Sequence, residues 1–244
     1  MRVAEPDPVP DTEPVPEPDT GHTKSRGLDL ILAILLAAAG CATYLLYPVL
    51  NHGPNRIFLQ TAVDRAMPLV PVMVIPYISL IPLIFVAALV LAVADLRKLQ
   101  SYALAMTIAL LVSYAVYATA QSYVIRPTIT GDDWLSRALR EVYSLDKPYN
   151  DFPSLHTSQA TIIAVYWLKA HRRTGIAAAV WCALIVSSTV LIHQHYVADV
   201  AAGLVVAWAA TTSAEWIIRR ISRRLDSKDD SIAATEFAAD AAEK

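Results

Sequence analysis

Residues 73–94 read MVIPYISLIPLIFVAALVLAVA, an apolar run with no charged side chain. Coiled as a helix at 1.5 Å per residue it would reach about 33 Å, the hydrocarbon thickness of a bilayer. Further apolar runs lie outward from it on both sides, at residues 28–50, 102–123, 156–171, 174–193 and 199–218. The pattern predicts an all-α, polytopic membrane protein with a bundle of six transmembrane helices over residues 28–221. The fourth and fifth runs are short for a crossing, so their ends are expected beneath the lipid headgroups. Composition agrees: 55% of the 244 residues are hydrophobic and only 17% are charged, too apolar for an ordinary soluble domain.

The flanks differ from this middle. Residues 1–27 interleave prolines with acidic residues and then turn polar; such a segment cannot bury a core and is expected to be a disordered tail with no signal peptide. Residues 222–244 are polar and alanine-rich, and are expected to form a second tail, loose or as a short frayed helix. Cys41 and Cys182 both fall in apolar runs, which argues against a disulfide framework and predicts Cys41 as a buried small residue.

Basic residues orient the bundle. Lys24 and Arg26, Arg97 and Lys98, Lys169 with Arg172 and Arg173, and Arg219 through Arg224 flank alternate loops. By the positive-inside rule both termini are cytoplasmic and the loops at 51–72, 124–155 and 194–198 face outward. An alanine-rich, arginine-favouring composition points to a bacterial inner membrane. Within the long outer loop, Trp134, Leu135, Ala138, Leu139, Val142 and Tyr143 recur at helical spacing, which predicts a short helix along the membrane surface.

Three polar clusters fall on the outer side: Arg126-Pro127, Phe152-Pro153-Ser154-Leu155-His156, and His193-Gln194-His195-Tyr196 with Asp199. His195 and Asp199 are four apart, so on a helix the carboxylate can hold one imidazole nitrogen and leave the other as nucleophile or base. Asp199 near a helix start reads equally as a capping residue. Ser154 can cap the fourth helix and leave backbone N–H groups facing an anion. Arg126 offers the planar charge that phosphate oxygens prefer, or serves as an anchor at a helix end.

These residues resemble the type 2 phosphatidic acid phosphatase (PAP2) superfamily of membrane lipid phosphatases and phosphotransferases. Its pattern runs Lys, six residues, Arg-Pro; then Pro-Ser-Gly-His; then Ser-Arg, five residues, His, three residues, Asp. Arg126-Pro127 matches the end of the first block, Pro153 to His156 the second with Leu155 for Gly, and Ser188, His195 and Asp199 the third. The resemblance implies His195 as the nucleophile that forms a phosphohistidine, Asp199 as its orienting group, and His156 as the acid that protonates the leaving oxygen. It implies Arg126 and Ser154 as phosphate-binding residues, with no metal and no cofactor. The expected partners are the bilayer and a lipid phosphate, and no nucleic acid.

Two family cations are replaced, the Lys of the first block by Thr119 and the Arg of the third by Thr189. Both threonines are read as substrate-binding positions of a site with fewer charges. The variants Phe152 to His156 and His195 to Gly203 are most similar to the inositol phosphorylceramide synthase branch, in which a phospho-headgroup moves between lipids. That leans the reading toward a headgroup phosphotransferase, with a lipid phosphate phosphatase as the alternative. In the alternative, Lys147, Arg137 or Arg140 would swing in to replace the missing charges. Two remoter readings are a metal hydrolase using His156, His193, His195 and Asp199, and a transporter. The second is weakened by the scarcity of ionisable residues at mid-span.

Overall fold

In the computed structural model the described residues are 20–243 apart from 52 and 54–56. Residues 1–19 of the expected N-terminal tail lie outside them, while residues 20–27 already belong to the first helix. Among the described residues the chain is helical, with two isolated bridges and no strand.

Helix α1 (Thr20–Tyr44) stops two residues short of the small helix α2 (Tyr47–Leu50). Pro48 lies just beyond and cannot continue α1's hydrogen bonds. After α3 (Ala62–Ala66) and a 3-10 turn at Pro71–Met73, the run that opened the sequence reading proves to be two helices, α4 (Val74–Ile78) and α5 (Leu80–Ala94). Then follow α6 (Leu96–Thr119), the amphipathic α7 (Trp134–Leu145), α8 (Leu155–Ala170), α9 (Arg172–Leu191) and α10 (Val197–Glu243). Asp95 starts α6 by accepting the N–H groups of Arg97 and Lys98, and Asp133 starts α7 in the same way. Helix α10 runs unbroken past residue 222, where the sequence suggested a separate tail.

Among the described residues five segments are long and apolar enough to cross a membrane: 27–50, 71–94, 96–119, 172–191 and 197–225. The fourth predicted span is α8, whose 16 residues reach only about 24 Å. It is the innermost helix, packed against α5, α6, α9 and α10. Its Ile162, Ile163 and Tyr166 are buried with Leu91, Ile185 and Ala207. Lipid tails are as apolar as leucine, so this packing relies on close approach at small residues such as Ala105, Ala109, Ala160, Ala210 and Ala214. Outward-facing Ile31, Leu35, Phe85, Leu89 and Trp208 are exposed, as lipid-facing side chains are. Cys41 is exposed on α1, not buried as expected, because that helix presents most of its surface outward; Cys182 is buried.

The two ends of the bundle differ chemically. One end holds a groove lined by Arg97, Lys98, Lys169, Arg219 and Arg223. The other end gathers His156, His193 and His195.

Candidate active site

The start of α8 is stitched to the start of α10. Ser154 caps α8, its Oγ accepting the Thr157 N–H at 3.2 Å, while its own N–H donates to the Asp199 carbonyl at 3.0 Å. One turn along α10, a Cβ on Gly203 would lie 2.7 Å from the Ser154 carbonyl, so only glycine lets the two helices meet here. This contact sets His156, in the first turn of α8, opposite His195, with ring centroids 6.2 Å apart. Tyr77 stacks on His156 at 4.0 Å and fixes its plane.

His195 sits on a short loop that is tied at several points. The Thr189 carbonyl accepts the N–H groups of both Gln194 and His195, and His193 reverses the chain in the left-handed region at φ 52°. The Val197 N–H donates to Asp64 Oδ1 at 2.8 Å, and the Tyr143 hydroxyl donates to the Ile192 carbonyl. Asp199 Oδ2 accepts the Tyr196 N–H at 2.7 Å, so Asp199 caps α10 from its third residue by reaching back, and does not occupy the N-cap position that one reading of the sequence gives it. The same oxygen lies 3.7 Å from His195 Nδ1, and the other, Oδ1, is buried without a partner, as is Nδ1. The pair is just beyond hydrogen-bond range; unliganded active sites commonly tighten such contacts when substrate binds.

A cavity of about 350 Å³ opens beside the two histidines. Asp146, Asn150, Asp151 and Gln159 supply its polar wall, and Ile78, Ile81, Val142 and Leu145 its apolar one. Asp146 accepts the hydroxyls of Tyr47 and Tyr77 and the amide of Asn51. Asp151 is only 3% exposed; burial, reinforced by the nearby Asp199 carboxylate, pushes its carboxyl well above the usual carboxylate range.

A family model described as the PAP2 superfamily matches residues 50–213, about two-thirds of the chain, including every cluster above. The chain belongs to the PAP2 superfamily. It is a multi-pass membrane enzyme of the lipid phosphatase and phosphotransferase type. No curated protein and no solved structure matches it.

The PAP2 positions named from the sequence are only partly brought together. His156 and His195 line the cavity, with Asp199 behind His195 and Ser154 at the helix contact. Arg126 does not line it: its terminal nitrogens donate to the carbonyls of Tyr143 and Asp146 and to Gln194 Oε1, and its guanidinium lies 4.8 Å over the Tyr143 ring. Only its Nε is buried without a partner. Thr189 is buried, its hydroxyl bonded to the Val186 carbonyl, and exposed Thr119 bonds back to Ala115 and Val116 on its own helix. Neither threonine reaches the cavity. Arg137 and Arg140 donate to carbonyls of their own loop, at Asp132, Ile129 and Gly131.

His193 lies outside the cavity, and among the described residues no three His, Cys, Asp or Glu side chains are grouped to hold a metal. Sequence reading missed Tyr77, Asp64, Asp146, Asn150, Asp151 and Gln159. Asp151 alone had a signal within reach, as an acid one residue before the Phe152 to His156 cluster.

Proposed function

We propose that this PAP2 enzyme moves a phospho-headgroup from one membrane lipid to another through a phosphohistidine at His195. The observation that carries the reading is the pair of imidazoles facing each other at 6.2 Å across a cavity, one of them backed by a buried carboxylate at 3.7 Å. A phosphoryl group held between them would offer phosphorus to His195 and its leaving oxygen to His156.

Asp199 holds His195 in the tautomer with its proton on Nδ1, so that Nε2 carries the free lone pair. Nε2 attacks phosphorus and the bond to the departing lipid oxygen breaks; that oxygen takes a proton from His156. The headgroup phosphate is then carried on Nε2. In the second half a lipid hydroxyl gives its proton to His156 and attacks phosphorus, and the bond to Nε2 breaks to restore the enzyme. Water as acceptor would release the headgroup phosphate instead. Arg126 would approach the phosphate by exchanging a carbonyl partner for a phosphate oxygen, and N–H groups at the start of α8 would assist.

The transferase lean is supported by charge. Among the described residues no Lys or Arg lines the cavity, and Arg137 and Arg140 are engaged elsewhere. A phosphodiester carries about one negative charge fewer than a monoester dianion and needs fewer cations. The bacterial inner-membrane placement, with cytoplasmic termini and an extracytoplasmic site, is supported by the gathering of Arg97, Lys98, Lys169, Arg219 and Arg223 at the end opposite the histidines. We take α8 as the remaining crossing, shortened because its N-terminal end is covered by protein.

Purified protein given phosphatidylinositol as donor and diacylglycerol or ceramide as acceptor tests the reading. Headgroup transfer is expected. Fast phosphate release from phosphatidic acid or a polyprenyl diphosphate, with no transfer, would make it a lipid phosphatase.

A further inference from the structure

Three buried side chains on the cavity wall present polar atoms that the protein itself leaves unpartnered: Asn150 Nδ2, Asp151 Oδ2 and Gln159 Nε2. Their residues are 2%, 3% and 3% exposed. A buried donor or acceptor left unmade costs about 1–3 kcal/mol, so three on one wall call for something to meet them. Their placement is enforced. Asn150 adopts φ 61°, a region asparagine tolerates better than most residues, and its Oδ1 is fixed by Gln121 Nε2 at 2.7 Å. Gln121 is anchored in turn to the Leu50 carbonyl. Gln159 is one helical turn beyond His156 on α8, facing the same cavity.

We propose that Asn150, Asp151 and Gln159 form a subsite for an uncharged, hydroxyl-bearing group, the alcohol portion of the phosphoester that His195 attacks. The subsite rests on the phosphohistidine reading for its role and on the orphaned wall for its existence. A second phosphate is disfavoured, since Asp146 faces the space and among the described residues no cation lines it. A cationic headgroup offers no acceptor to the two amide N–H groups. Asp146, the remaining carboxylate, is already surrounded by three neutral donors. Asp151, whose carboxyl burial pushes toward the protonated form, can then both donate and accept, as a hydroxyl does. A space of about 350 Å³ is at the small end of ligand pockets, enough for a headgroup while the acyl chains stay outside. The exposed apolar side chains of Ile78, Ile81 and Leu145 border that exit.

The test compares phosphatidylglycerol, whose headgroup carries hydroxyls, with phosphatidylcholine of the same acyl chains, using the full-length protein in detergent micelles. The intact enzyme is expected to favour phosphatidylglycerol in kcat/KM by tenfold or more, about the value of one well-made hydrogen bond to a buried polar group. Asp151→Leu and Gln159→Leu should each collapse that ratio toward unity, whereas Asp151→Asn, which keeps a donor and an acceptor, should preserve it. An unchanged ratio in both leucine variants, or a preference for phosphatidylcholine, overturns the proposal. Lipid retention by the His195→Ala protein, read by native mass spectrometry, separates the subsite from the chemistry. If the intact enzyme turns over neither lipid while retention still favours phosphatidylglycerol and is lost on adding Asp151→Leu, the subsite stands and the phosphohistidine reading falls. Equal retention of both lipids overturns the subsite.

Discussion

The Nδ1 of His195 stands 3.7 Å from Oδ2 of Asp199, and that oxygen already holds the Tyr196 N–H at 2.7 Å. One carboxylate thus starts α10 and faces the imidazole. Both duties fall on that one oxygen, so Asp199→Asn can keep its amide oxygen there for Tyr196, but it loses the negative charge behind the imidazole and leaves its NH2 in the buried, unpartnered place of Oδ1. Turnover is expected to fall by about 10²–10⁴. The melting temperature should change little. A large loss of thermal stability with proportionate loss of activity would reduce Asp199 to a cap.

His156→Ala removes the proposed acid and should cost about 10²–10⁴ in kcat. His193→Ala should cost far less, since His193 lies outside the cavity. Chelators are expected to leave turnover intact. Steady-state kinetics of the two variants with and without EDTA checks all three; loss in EDTA restored by zinc would favour a metal hydrolase.

Much of this arrangement is legible in the sequence, where it depends on neighbours along the chain. Ser154 does cap α8, the period of residues 134–143 gives α7, and the spacing of His195 and Asp199 brings the two together, though not on one helical face, because α10 starts at Val197 and His195 lies in the loop before it. The rest depends on residues far apart in sequence. Tyr77 meets His156 only because α4 packs beside α7 and α9, and Asp64 meets Val197 across 133 residues. Thr119 was placed at the site by motif alignment, yet it faces outward because α6 has not ended and its hydroxyl bonds back along that helix. The break at Ser79 escaped a hydropathy reading because Pro76 and Pro82 interrupt hydrogen bonds without lowering apolarity.

Gly203→Ala tests the contact between α8 and α10. Its Cβ would meet the Ser154 carbonyl at 2.7 Å and Thr157 Cβ at 2.9 Å, backbone and packed side chain that cannot easily yield. A loss of about 1–3 kcal/mol is expected from overpacking. Turnover should fall as well, because the same contact spaces His156 from His195. Thermal melting with activity measured below the transition checks both.

Asp151 makes stability depend on pH in a defined direction. Its folded pKa is raised by burial and by Asp199, so its contribution is intact below the usual carboxylate range, about pH 4, and is lost as pH rises toward the folded value. Asp151→Asn removes that loss. The variant should melt higher than the parent, and the gain should grow as pH rises above about 4. A gain that is constant with pH, or absent, would show that Asp151 is charged in the folded protein.

The most direct test of the central claim is to trap the intermediate. Full-length protein is mixed briefly with a phosphate-labelled lipid donor, quenched in alkali, where phosphohistidine survives, and mapped by mass spectrometry. The label is expected on the peptide carrying His195, to vanish in acid, and to be absent from His195→Ala. Label on His156, or a His195→Ala protein that still turns over the donor, would contradict the account.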